Sequence, residues 1–123
     1  MPLPAVRKIS ETIVDFGGPL IQQLGPGETY EVARSTFEII ILVWNAHVMA
    51  TPRWGQPRHL AELHRRLQDP QIPAPMVEAY RDLSQRRLER FATDARAVGD
   101  WSITQESGQW RLRCDARAPD TVA

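Results

Sequence analysis

The chain predicts an α+β domain, with about four helices around one central apolar helix and a C-terminal antiparallel β-hairpin packed on them. Two changes of pattern carry that expectation. Between Tyr30 and Met49 the apolar residues Tyr30, Ala33, Phe37, Ile40, Ile41, Trp44 and Val48 recur at i, i+3, i+4, i+7 spacing, which marks one buried helical face. After Gly99 the period falls from about 3.6 to 2, the spacing of a strand.

The first helix is expected to start near Pro4 and to align Val6, Ile9, Ile13, Phe16, Leu20 and Leu24. Gly17, Gly18 and Pro19 interrupt it. The stripe keeps its phase across them, which predicts one kinked helix. Gly25-Pro26-Gly27 ends that element, and Glu28 and Glu31 suit the positive N-terminus of the central helix. The central helix is unusual on its second side, which begins polar and then turns apolar at Ile39, Leu42, Val43 and Ala46. A helix that is apolar all round must be covered on both sides.

Residues 50–57 read as a loop, and Pro57 suits the first turn of a third helix carrying Leu60, Leu63 and Leu67 inward to Asp69-Pro70. A proline-rich connection from Gln71 to Pro75 leads into the longest amphipathic segment. Its inner face is predicted to hold Met76, Tyr80, Leu83, Leu88, Phe91, Ala95 and Val98, with Gly99 as the C-terminal cap. In the hairpin a two-residue Ser107-Gly108 turn pairs Gln105 with Trp110, Ile103 with Leu112 and Trp101 with Cys114. All the apolar residues then fall on one face, while Thr104 and Ser102 meet Arg111 and Arg113 on the other. Residues 1–117 are expected to form one domain and 118–123 a loose tail.

Composition narrows the functional classes. The 123 residues suffice for a single domain that buries about two-thirds of its unfolded surface. The formal net charge is +0, so no overall field favours nucleic acid or an acidic membrane. Only Lys8 among the 15 basic residues is lysine, a preference that suits a GC-rich bacterial gene and also interfaces rich in guanidinium hydrogen bonds. Arg7, Lys8, Glu11 and Asp15 break any secretory apolar run near the N-terminus. Glu38, Asn45 and His47 interrupt the central run, which is too short for a bilayer. These features predict a cytoplasmic protein with no membrane contact. The single cysteine excludes an internal disulfide and any cysteine-cluster zinc site.

Few residues invite chemistry. His59 and His64 lie five apart, not the four that would put both on one helical face with Glu62 nearby. Surface histidines are the reading, and no cofactor is expected. Asn45 and His47 flank the central stripe on opposite sides. Such polar groups tie helices and loops together when buried, or line a small pocket. Cys114 faces the inner side of the hairpin, where a thiol behaves as a small hydrophobe.

Arg86, Arg87 and Arg90 are candidate phosphate contacts. The pairs Asp82 with Arg86 and Arg90 with Asp94 instead suggest a balanced, solvated face. Trp54, beside Arg53 in a loop, is either a cover for the helix ends or a binding anchor.

The segments Ser10–Phe16, Val43–Ala46 and Arg90–Arg96, together with the closing hairpin, resemble small uncharacterised bacterial proteins. That resemblance implies a self-contained domain and brings no activity with it. The functional expectation is a non-enzymatic interaction protein, a subunit of an assembly or a small regulator. Ile39, Leu42, Val43 and Trp54 are its candidate contacts with another protein or a second copy. A nucleic-acid-binding accessory protein is the alternative, followed by a small enzyme with a pocket near Asn45 and His47.

Overall fold

The computed structural model describes residues 7–119. Five helices come first: α1 (Ile9–Phe16), α2 (Gly18–Ile21), α3 (Tyr30–Met49), α4 (Arg58–Arg66) and α5 (Ala74–Arg90). Strands β1 (Ala97–Glu106) and β2 (Gln109–Arg117) follow as an antiparallel pair. Helix α3 packs against the other four helices and β1, while α1 lies against β2. The expected class is therefore the observed one.

Helix α3 starts at Thr29, whose Oγ1 accepts from the Val32 N–H at 3.3 Å and satisfies one otherwise unpaired amide. Ala33, Phe37, Ile40, Ile41, Trp44 and Val48 are all buried. At their centre the Trp44 ring meets Phe16 and Phe91 edge to face at 5.2 and 5.8 Å, and those two meet each other at 5.6 Å. Each such pair adds about 0.5–1.5 kcal/mol beyond its burial.

The expected kinked first helix is two short helices separated by Gly17. Pro19 has no N–H to offer the Asp15 carbonyl four residues back. The Leu20 and Ile21 amides bond to the Gly17 carbonyl instead, both at 3.0 Å. A side chain at Gly17 would lie 2.5 Å from the Ile40 Cδ1 atom. The break is thus also a place where the backbone lies tightly against α3. The proposed start at Pro4 lies outside the described residues, as do residues 120–123 of the expected tail.

Helix α5 departs from expectation at its second half. It ends at Arg90, and Ala95, Val98 and Gly99 do not belong to it. Arg87, 2% exposed, points into the core, whereas Leu88 is 62% exposed. The phase explains this: Met76, Tyr80, Leu83 and Arg87 lie at i, i+4, i+7 and i+11, and Leu88 falls off that stripe.

The hairpin has the register that its alternation predicts: Gln105 faces Trp110, Thr104 Arg111, Ile103 Leu112, Ser102 Arg113 and Trp101 Cys114. Ser107 and Gly108 take φ values of 51° and 79°, the left-handed pair of a tight hairpin turn. Strand β1 extends further back than expected, because Gly99 and Asp100 together oppose one residue, Asp115. This bulge lets Val98 and Ile103, at positions of opposite parity, both be buried.

If the inner face of the hairpin is core, Ile103→Ala or Leu112→Ala should cost about 2–4 kcal/mol in urea denaturation. Arg113→Ala, at an exposed site, should cost under about 0.5 kcal/mol. Equal losses on the two faces would contradict the register.

Candidate functional site

Two side chains of α3, Trp44 and Asn45, and Trp54 of the loop that follows it converge on the end of the α5–β1 connection and the start of β1. The Trp44 Nε1–H donates to the Arg96 carbonyl at 2.8 Å, and the Trp54 Nε1–H to that of Ala95 at 2.7 Å. Asn45 makes two bonds: its Nδ2 donates to the Val98 carbonyl at 3.0 Å, and its Oδ1 accepts from the Val98 N–H at 2.7 Å. An amide bonded this way does what a neighbouring strand would do, and it occupies the start of β1 on the side away from β2.

From α5, Arg87 donates to the carbonyls of Phe91 and Asp94 and lies 4.5 Å over the Trp44 ring. Burial lowers its pKa, and the Asp94 charge partly opposes that shift. Asp94 in turn accepts from the Arg96 amide and guanidinium, the closest contact being 2.6 Å. Burial pushes the Asp94 carboxyl up, but the Arg96 bonds and charge prevail and hold it below its ordinary value of 3.8. Arg96 reaches onward to the Arg7 carbonyl and to the Thr12 hydroxyl of α1.

Several sequence candidates are thereby drawn inward. Arg87 is core, and Arg86 donates to the carbonyls of Phe16 and Asp15, both at 2.9 Å, where Pro19 left α1 without backbone donors. Arg86 pairs with Asp15 rather than Asp82, and Asp94 pairs with Arg96 rather than Arg90. Of the three proposed phosphate contacts only Arg90 is exposed. Trp54 is half-buried and covers the end of the α5–β1 connection.

Asn45 and His47 do not share a pocket. Asn45 faces β1, whereas His47 is buried toward Arg87 of α5 and His64 of α4. Burial, and then the Arg87 and His64 charges, push the His47 imidazole down to about 4. Its Nε2 has no hydrogen-bond partner. Burial, reinforced by Asp115, pushes the Cys114 thiol up to about 11, so it is protonated at neutral pH. Among the described residues no three His, Cys, Asp or Glu side chains are grouped to hold a metal ion. Glu62 is engaged by Arg65 and Arg66 at 2.5 and 3.6 Å.

The second side of α3 is not one face. Val43 and Ala46 are fully packed core, which removes Val43 from any contact surface. Ile39 lines a groove of about 410 Å³ between α2, α3 and the start of α5, together with Leu20, Leu24, Val32 and Met76. Leu42 lines a separate cleft of about 280 Å³ bounded by Met49, His59 and Trp101. Val32 is 45%, Met76 39% and Leu42 37% exposed. The apolar character of Ile39 and Leu42 is visible in the sequence, and Met76, expected on the inner face of α5, is 39% exposed at the groove, while Val32 belongs to neither expected stripe. The signal for Val32 is its spacing of seven residues from Ile39, which places both on the outer side of α3.

No protein family, curated protein or solved structure matches this chain. Among the described residues no helix is long and apolar enough to cross a membrane.

Two measurements test this arrangement. Asn45→Asp removes the donor to the Val98 carbonyl and sets a carboxylate against it. It should destabilise the fold by about 1–3 kcal/mol, whereas Asn45 acting only as a surface residue would give almost no change. His47 is neutral in the fold and protonated in the unfolded chain between its ordinary pKa of 6.5 and about 4. Its contribution is therefore complete above pH 6.5 and lost as the pH falls to about 4. A shift of this size corresponds to about 3 kcal/mol. Denaturation across that window should show the slope in the native protein and not in His47→Leu. Asp94 acts at lower pH, below 3.8.

Proposed function

We propose that this chain is a non-enzymatic cytoplasmic interaction protein that docks on another protein through the apolar surface beside α3. The observation that carries the reading is the emergence of the central helix on two sides as apolar grooves. Val32 is 45% exposed in one and Leu42 37% exposed in the other. Large apolar side chains gathered in grooves mark contact sites more often than scattered ones do. The side chains best suited to catalysis are turned away from such work. His47 is buried and uncharged, and the Cys114 thiol is held protonated.

Affinity capture of the intact protein from the cells that make it tests the reading. Wild type and Leu88→Asp, altered at an exposed residue lining neither groove, should retain the same discrete protein partners. Val32→Asp or Leu42→Asp should reduce capture about tenfold or more, the loss expected for a binding hot spot. Unchanged capture by both variants, each folded by circular dichroism, would remove the reading. So would salt-sensitive recovery of nucleic acid in place of protein.

A further inference from the structure

The larger groove is built in a way that selects its occupant. Its floor is the outer side of α3, where Val32 and Ile39 lie seven residues apart, about two helical turns or ~10 Å. Leu20 and Leu24 form one wall and Met76 the other. The second wall begins with Pro73 and Pro75, which fix the entry to α5. Thr36, the hydroxyl in the floor, already donates to the Val32 carbonyl at 3.0 Å.

Walls made of helices offer no strand edge. An extended peptide laid against them would leave its backbone amides and carbonyls facing apolar side chains, at a cost in desolvation. A helix satisfies those groups internally and presents only side chains. The groove therefore suits a helix.

Charge narrows the choice further. Glu28 is the sole titratable residue that lines the groove, and among the described residues no cation pairs with it. Among the described residues, no helix of a second copy carries a stripe of fully exposed large apolar residues. The copy's exposed large apolar residues are Val14, Tyr30, Val32, Leu42, Met76 and Leu88, and no two of them lie three, four or seven apart on one helix.

We infer that the groove between α2, α3 and α5 receives an amphipathic helix of a partner protein. That helix presents two turns of apolar residues to Val32, Ile39 and Met76 and carries a lysine or arginine that meets Glu28. The inference rests on the interaction reading above and names the partner's chemistry for one of its two grooves.

The probes are fluorescein-labelled, alanine-based helical peptides of about 16 residues. One carries leucines at i, i+4 and i+7 flanked by lysines, a second the same stripe flanked by glutamates, and a third the lysines with the leucines scattered round the helix. Fluorescence anisotropy with the intact chain should show the lysine-flanked stripe binding about tenfold more tightly than the glutamate-flanked one. Val32→Asp should abolish binding. Glu28→Gln should bring the two stripes to within about twofold of each other while preserving the apolar contribution.

Equal affinity for the two stripes would overturn the inference, as would binding of the scattered peptide, binding that survives Val32→Asp, or no binding at all. A dimer seen by sedimentation and dispersed by Val32→Asp would assign the groove to a second copy instead. Capture from cells that depends on Leu42 and not on Val32 would overturn this inference and leave the interaction reading standing.

Discussion

Two indoles and one amide supply hydrogen bonds that the backbone from Ala95 to Val98 could not obtain from its two-stranded sheet alone. Trp44, Asn45 and Trp54 each reach a main-chain group there, and together they bind the carbonyls of Ala95, Arg96 and Val98 and the amide of Val98. An unmade bond at any of these buried positions would cost about 1–3 kcal/mol. The same contacts tie the start of β1, and with it the hairpin, to α3. The hairpin itself would be marginal in isolation. Its inner face is seated on the core by the hold of α3 on its first residues and by the packing of β2 on α1.

Arg87 makes the other side of this junction work. The reversal of the chain after α5 leaves carbonyls without helical partners, and a guanidinium offers several donors in a fixed plane. Placing that cation in the core would ordinarily be unfavourable. Here Trp44 presents its π face to it, and Asp94 supplies the nearby opposite charge. Asp94 is itself held by Arg96, whose guanidinium also touches α1. One connected set of polar contacts thus joins α1, α3, α5 and β1 where apolar packing alone would leave backbone groups unpaired.

What was legible in the sequence followed from periodicity. The α3 stripe and the register from Trp101 to Trp110 depend on local repeats of 3.6 and 2, and both appear in the fold, except that Tyr30 at the first turn of α3 is 47% exposed. The segment from Phe91 to Gly99 has a helical pattern in the sequence and is not helix in the fold, because a bulge after Val98 breaks the strand period there. Phe91, Ala95 and Val98 keep a helical spacing by coincidence, and Gly99 resembles a helix cap. Residue type favours Leu88 for the inner face of α5, but the helical phase puts Arg87 there. The grooves were only half legible. Ile39 and Leu42 read as one face in the sequence, yet they diverge around α3 by enough that different elements flank them. Which outer residues remain uncovered depends on where α4 and α5 dock, and no local pattern contains that information.

The long sequence separation of the central contacts bears on how the chain reaches its fold. Trp44 and Asn45 bond to partners 52 and 53 positions later, and Trp54 to one 41 later. During synthesis from the N-terminus α3 can form by local hydrogen bonds well before those partners exist. Until the α5–β1 segment leaves the ribosome, Trp44 and its apolar neighbours have only α1, α2, α4 and then α5 to pack against. Contacts of such range make folding slow relative to a simple helical bundle, and the nascent chain exposes its most apolar helix for most of that interval. Chaperones that hold unfolded apolar segments would meet this protein at α3 first.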